Sequence, residues 1–180
     1  TGRLELDNLR FDGNTIRTGE TTFTVGAVVG GFGAVLRSQD HGSAWVQQPH
    51  PSSHHELRAI HLLDFYTAMA VGSSGLIIRT VDSGTTWFQT PTGLSVTLSG
   101  LYMIDTAHVV VVGSSGTILR SVDHGETYQA VFSPVNEAWK SVSFATQTNG
   151  LAVGSNGAII SSSDAGASWQ ERALDLPEEE

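Results

Sequence analysis

The sequence predicts an all-β propeller built from four copies of one four-stranded unit, and three observations predict it. One octapeptide pattern is written four times, at residues 38–45 (SQDHGSAW), 80–87 (TVDSGTTW), 121–128 (SVDHGETY) and 162–169 (SSDAGASW). Its aspartates Asp40, Asp82, Asp123 and Asp164 are spaced by 42, 41 and 41 residues. A glycine-rich motif keeps the same period, with VGGFG from Val29, VGSSG from Val71 and again from Val112, and VGSNG from Val153. The stretches around these motifs alternate apolar and polar residues with period two, and helical periodicity is not evident. A repeat of about 41 residues made of short strands has the size of a propeller blade.

The elements follow in order. Residues 1–172 read as a single domain of four blades, at about 7–48, 49–90, 91–132 and 133–172, with an acidic tail at 173–180. In the second blade the strands are expected at 57–63, 68–72, 76–80 and 86–90, joined by turns at Asp64, at 72–75 and at the octapeptide. The inner strands align, with Ile60 and Leu62 matching Leu101 and Met103, then Val142 and Phe144. The first unit is irregular, because Thr18 and Glu20 fall where apolar residues belong. Its inner strand is therefore expected at residues 9–11, followed by a longer hairpin. Terminal repeats are often atypical because they cap an array. An open array would leave strand edges exposed, so closure is expected within one chain or by pairing two.

Composition removes several function classes. The chain has 180 residues, no cysteine and a net charge of −9. Thiol nucleophiles, disulfides and Cys-ligated metals are excluded. With nine basic residues against eighteen acidic ones and no basic run, a nucleic-acid surface is not expected. No apolar run approaches the ~20 residues that span a bilayer. No signal peptide is read in the sequence, which starts at Thr1 and leaves room for a segment removed earlier, so its absence is weak evidence for a cytoplasmic home.

The octapeptide has a local chemistry. Its Asp can accept backbone N–H bonds within a tight turn, its Gly tolerates positive φ, and its Ser or Thr adds a further local bond. The closing aromatic anchors the next strand. Asp40, Gly42 and Trp45, Asp82, Gly84 and Trp87, Asp123, Gly125 and Tyr128, and Asp164, Gly166 and Trp169 are thus expected to be four structural clips. Four carboxylates spread around a ring cannot converge on one substrate. The pattern resembles the Asp-box, or bacterial neuraminidase repeat, of β-propellers. The longer string VGSSGTILRSVDHGETY, residues 112–128, is similar to the repeat of the photosystem II stability/assembly factor-like family. The resemblance runs over about residues 26–172. It implies a non-catalytic scaffold that holds a protein partner, such as a membrane protein complex, outside the cytoplasm, without a cofactor. The alternative is a carbohydrate-binding propeller or a piece of an Asp-box glycoside hydrolase or sialidase. Against an enzyme, the chain has three tyrosines, lacks the arginine-rich motif that precedes sialidase boxes, and is short for the paired propellers of xyloglucan hydrolases.

Candidate partner-binding residues are Arg37, Arg79 and Arg120, which recur just before the octapeptide and are replaced by Ser161 in the fourth repeat. The resemblance implies an arginine patch that holds a partner chain. The bland reading is solvated heads over apolar surface. Arg58 and Lys140 are equivalent inner-strand positions, with Ser99 between them. Trp139 is the only tryptophan outside an octapeptide, suited to a partner or a sugar ring if exposed and to packing between blades if not. No metal site is expected. His50, His54 and His55, near Glu56 in the first inter-blade loop, are the weak candidates.

Overall fold

The computed structural model describes residues 10–18, 21–40, 42–51 and 54–173, with side chains from residue 26 onward. They form four antiparallel sheets of four strands, each strand beside its neighbour in sequence. The first sheet holds β1 (Arg10–Thr18), β2 (Thr21–Val29), β3 (Val35–Ser38) and β4 (Val46–Gln47). The second holds β5 (Leu57–Leu62), β6 (Ala68–Gly72), β7 (Ile77–Thr80) and β8 (Phe88–Thr90). The third holds β9 (Leu98–Met103), β10 (Val109–Gly113), β11 (Ile118–Ser121) and β12 (Gln129–Ala130). The fourth holds β13 (Trp139–Phe144), β14 (Gly150–Gly154), β15 (Ile159–Ser162) and β16 (Gln170–Glu171). No helix is long and apolar enough to cross a membrane among the described residues.

The strands expected in the second repeat form within a residue or two of their expected bounds. The first repeat differs. The inner strand expected at 9–11 runs on through the longer hairpin, β1 pairing with β2 in unbroken register from Arg10–Val29 to Thr18–Thr21. Thr and Ile alternate well along a pleat, so the polar residues extend the ladder instead of ending it. Leu9 and residues 174–180 of the acidic tail lie outside the described residues.

Consecutive sheets pack face to face through three apolar clusters. Ala27, Val29 and Val35 of the first sheet meet Ile60, Leu62, Ile78 and Trp87 of the second. Met69, Val71 and Ile77 of the second meet Leu101, Met103, Val111 and Tyr128 of the third. Val110, Val112 and Ile118 of the third meet Val142, Phe144, Ile160 and Trp169 of the fourth. This explains why β6 (AMAVG) and β10 (VVVVG) are continuous apolar runs: each is buried on both faces. Strand β14 (GLAVG) alternates instead, with Leu151 and Val153 exposed on the face that no sheet covers among the described residues.

The octapeptide turn repeats atom for atom. In the third sheet Ser121 Oγ donates to Asp123 Oδ1 at 2.7 Å and accepts from Gly125 N at 2.9 Å, while Asp123 Oδ1 accepts from Thr127 N at 2.9 Å. The same three bonds recur around Asp40, Asp82 and Asp164. Gly125 has φ of 76°, and His124 before it is also left-handed at 63°. Two successive positive φ values make the tight reversal between third and fourth strands.

These bonds hold the turn carboxylates in their charged form. The Thr127 hydroxyl and amide, with Ser121, lower Asp123 from 3.8 to about 2. Because the folded value is depressed, the stability it contributes is present above its ordinary value and is lost as pH falls through the interval toward 2. Melting temperature is expected to drop over that window, and Asp123→Asn to flatten the drop. An equal acid response in the variant would show that the clip carries no such linkage.

Candidate functional site

The arginine row lies at the joints between sheets, with Arg37 buried and Arg79 and Arg120 partly exposed. The Arg37 guanidinium is buried, donates to the Phe65 carbonyl of the second sheet and sits 5.1 Å from the Phe65 ring centroid. Burial lowers its pKa and the nearby Asp82 charge opposes that. Arg79 Nη1 donates to the His124 carbonyl at 3.1 Å and its Nη2 lies 3.5 Å from Glu126. Arg120 Nε donates to the Ala165 carbonyl at 2.8 Å. Each arginine thus ties its own sheet to the turns of the next. These donors are engaged between sheets, where a carbonyl at the end of a tight turn needs a donor.

Trp139 is likewise not a surface aromatic. It is fully buried and packs between the third and fourth sheets. An apolar slot opposite β10 stands where its exposure would have been needed for a sugar or partner, so packing wins.

The inter-blade loop with the histidines has separate duties. His50 Nε2 contacts the Gly33 carbonyl, and His54 is exposed. Among the described residues no group of three or more His, Asp or Glu is placed to hold a metal ion.

Arg58 and Lys140 occupy the same kind of feature in the second and fourth sheets. At the start of each inner strand the register slips by one residue. Leu57 pairs with Gly72 but Ala59 with Val71. Leu98 pairs with Gly113 but Gly100 with Val112. Trp139 pairs with Gly154 but Ser141 with Val153. The extra residues are Arg58, Ser99 and Lys140. A bulge leaves its extra residue out of the ladder and re-aims the side chain. All three bulges sit at the end of the molecule opposite the octapeptide turns, beside the glycine-rich turns. Arg58 pairs with Glu56 at 2.8 Å. Lys140 is exposed and has no ion-pair partner among the described residues.

One residue at this end went unnoticed in the sequence. The glycine-rich turns each place their fourth residue in the left-handed region: Phe32 (φ 53°), Ser74 (56°), Ser115 (56°) and Asn156 (55°). Ser and Asn are ordinary in that region, while a bulky aromatic is an outlier there. Phe32 is also 92% exposed. The available signal was the departure of VGGFG from VGSSG. Phe32 lies close to Arg58, since Leu57 N donates to the Gly30 carbonyl at 3.1 Å. The combined edge offers a cationic bulge, a hydroxyl bulge and a bare aromatic ring. Elsewhere the described surface has shallow open grooves of about 260–350 Å³, along the outer strands.

No protein-family model and no curated protein sequence matches the chain. Solved structures do. YCF48 bound to D1 peptide has a TM-score of 0.60 at 18% identity, with 70% of this chain and 42% of that one covered. YCF48 from Cyanidioschyzon merolae has a TM-score of 0.65 at 19% identity, covering 84% and 53%. An ancestral GH74 enzyme has a TM-score of 0.70 at 14% identity, covering 84% and 23%. The chain spans about half or less of the length of each. At such identities the likeness concerns the backbone alone, and on it the protein has a β-propeller fold resembling that of YCF48.

Proposed function

We propose that the protein is a non-catalytic scaffold, similar to photosystem II stability/assembly factor-like proteins, that binds an acidic segment of a protein partner on the bulge edge. The observation that carries this reading is Lys140, presented on a bulge and exposed, at the same end of the sheets as the bulge residue Arg58 and as Phe32, an exposed aromatic in a backbone conformation unfavourable to it. A strained, solvent-facing ring is more readily understood as an anchor than as a structural part. The fold likeness to YCF48 bound to a peptide supports a protein ligand. The partner is a membrane protein complex, and the protein works outside the cytoplasm, by analogy with the family that the repeat resembles. The second reading, a carbohydrate-binding or glycoside-hydrolase piece, draws on the fold likeness to an ancestral GH74 enzyme, at a TM-score of 0.70.

Fluorescence anisotropy with labelled acidic and basic peptides separates these. The acidic set is expected to bind, and Lys140→Glu with Arg58→Glu to weaken it at least tenfold, about 1.4 kcal/mol or more, with an unchanged melting temperature. Binding of xyloglucan oligosaccharides but of no peptide would favour the second reading.

A further inference from the structure

We propose that Glu56 is a built-in competitor at the bulge edge: its carboxylate holds the Arg58 guanidinium in place of the partner's, so that an acidic segment engages Lys140 first and reaches Arg58 only by displacing Glu56. This rests on the reading of that edge as the surface for an acidic segment, and adds how the surface is held back.

The three bulges are equivalent in backbone and differ in what precedes them. Two residues before each bulge residue the chain makes the same bond in every sheet. Ser73 N donates to the Glu56 carbonyl at 2.8 Å, Ser114 N to that of Thr97 at 2.8 Å, and Ser155 N to that of Ala138 at 2.9 Å. These bonds tie the start of each inner strand to its glycine-rich turn. Thr97 and Ala138 make them as well as Glu56 does, so this backbone role has no use for a carboxylate. What sets the three positions apart is the bulge residue that follows. Thr97 precedes Ser99, Ala138 precedes Lys140, and the one carboxylate precedes the one arginine.

The carboxylate is placed as a ligand's would be. Arg58 Nη2 donates to Glu56 Oε2 at 2.8 Å, the length of a charge-assisted bond. The Arg58 and Glu56 side chains are 45% and 30% exposed, so an incoming carboxylate has access to the same guanidinium. Glu56 itself works from a rigid base. Its N–H donates to Ser73 Oγ at 3.1 Å, and a Cβ on Gly72 would fall 2.0 Å from its carbonyl oxygen. Lys140 has no counterpart to Glu56. The nearest acid in sequence, Glu137, accepts from Asn156 Nδ2 at 3.1 Å, and Lys140 makes no ion pair among the described residues. An exposed ion pair is weak, so Glu56 tunes binding rather than blocks it. A segment with one carboxylate is served at Lys140, and a second carboxylate must exchange with Glu56.

The test is fluorescence anisotropy with a labelled oligoglutamate peptide at physiological ionic strength, where the screening length is about 8 Å. Glu56→Gln is expected to tighten binding about two- to fivefold, the size of effect measured for exposed ion pairs. It is expected to stay folded, because the backbone bonds of residue 56 remain. Glu137→Gln removes a charge from the same end without freeing Arg58, and is expected to change affinity less. In an Arg58→Ala background Glu56→Gln is expected to bring no gain. Affinity equal to the parent protein's, or a gain that survives without Arg58, would overturn the competitor and leave the acidic-segment reading standing. Failure of both the parent and Glu56→Gln to bind oligoglutamate would bring down both.

Discussion

Trp139→Ala is expected to cost about 3–5 kcal/mol, the range for deleting a large buried aromatic. Trp139 has no exposed surface and lies in the cluster that joins the third sheet to the fourth. Its ring also covers Gly154, where a Cβ would come within 2.9 Å of Trp139 Cε3. For a domain of this size the loss corresponds to roughly 10 °C in melting temperature. Trp139→Phe is expected to cost far less. It keeps most of the ring volume and removes an indole N–H that has no hydrogen-bond partner among the described residues. Calorimetry of the two variants checks this. Equal, small effects would mean that the ring is not part of the core, and would return Trp139 to the surface candidates.

Arg37→Ala is expected to be the most damaging of the arginine substitutions, at about 2–3 kcal/mol. Its guanidinium is buried, donates to the Phe65 carbonyl and covers the Phe65 ring. Removal leaves a carbonyl without that donor and loses the contact between the first two sheets. Arg79 and Arg120 make comparable bonds from more exposed positions, so their alanine variants should lose less. Denaturant unfolding of the three variants ranks them. A flat profile, with peptide binding lost instead, would restore the row as a partner surface.

The two sets of basic residues looked alike in the sequence and part ways in the structure. Arg37, Arg79 and Arg120 recur because the same sheet-to-sheet joint recurs. Ser161 breaks the row at the sheet whose next face is covered by no other sheet among the described residues. Arg58 and Lys140 are set apart by a register slip. A slip is a property of a strand pair, and no single strand's sequence carries it. Phe32 is legible as a substitution in a repeated motif, but its meaning depends on a left-handed φ and on solvent around the ring.

The sequence by itself determined the repeat, its four-strand units, the inner-strand alternation and the chemistry of the octapeptide turn, because all of these rest on contacts within a few residues or on a fixed period. Only the tertiary structure decided which side chains are shared between sheets. Trp139, Arg37 and Leu151 owe their burial or exposure to a neighbouring sheet about 40 residues away, which is present beside the first two, while among the described residues none lies over Leu151.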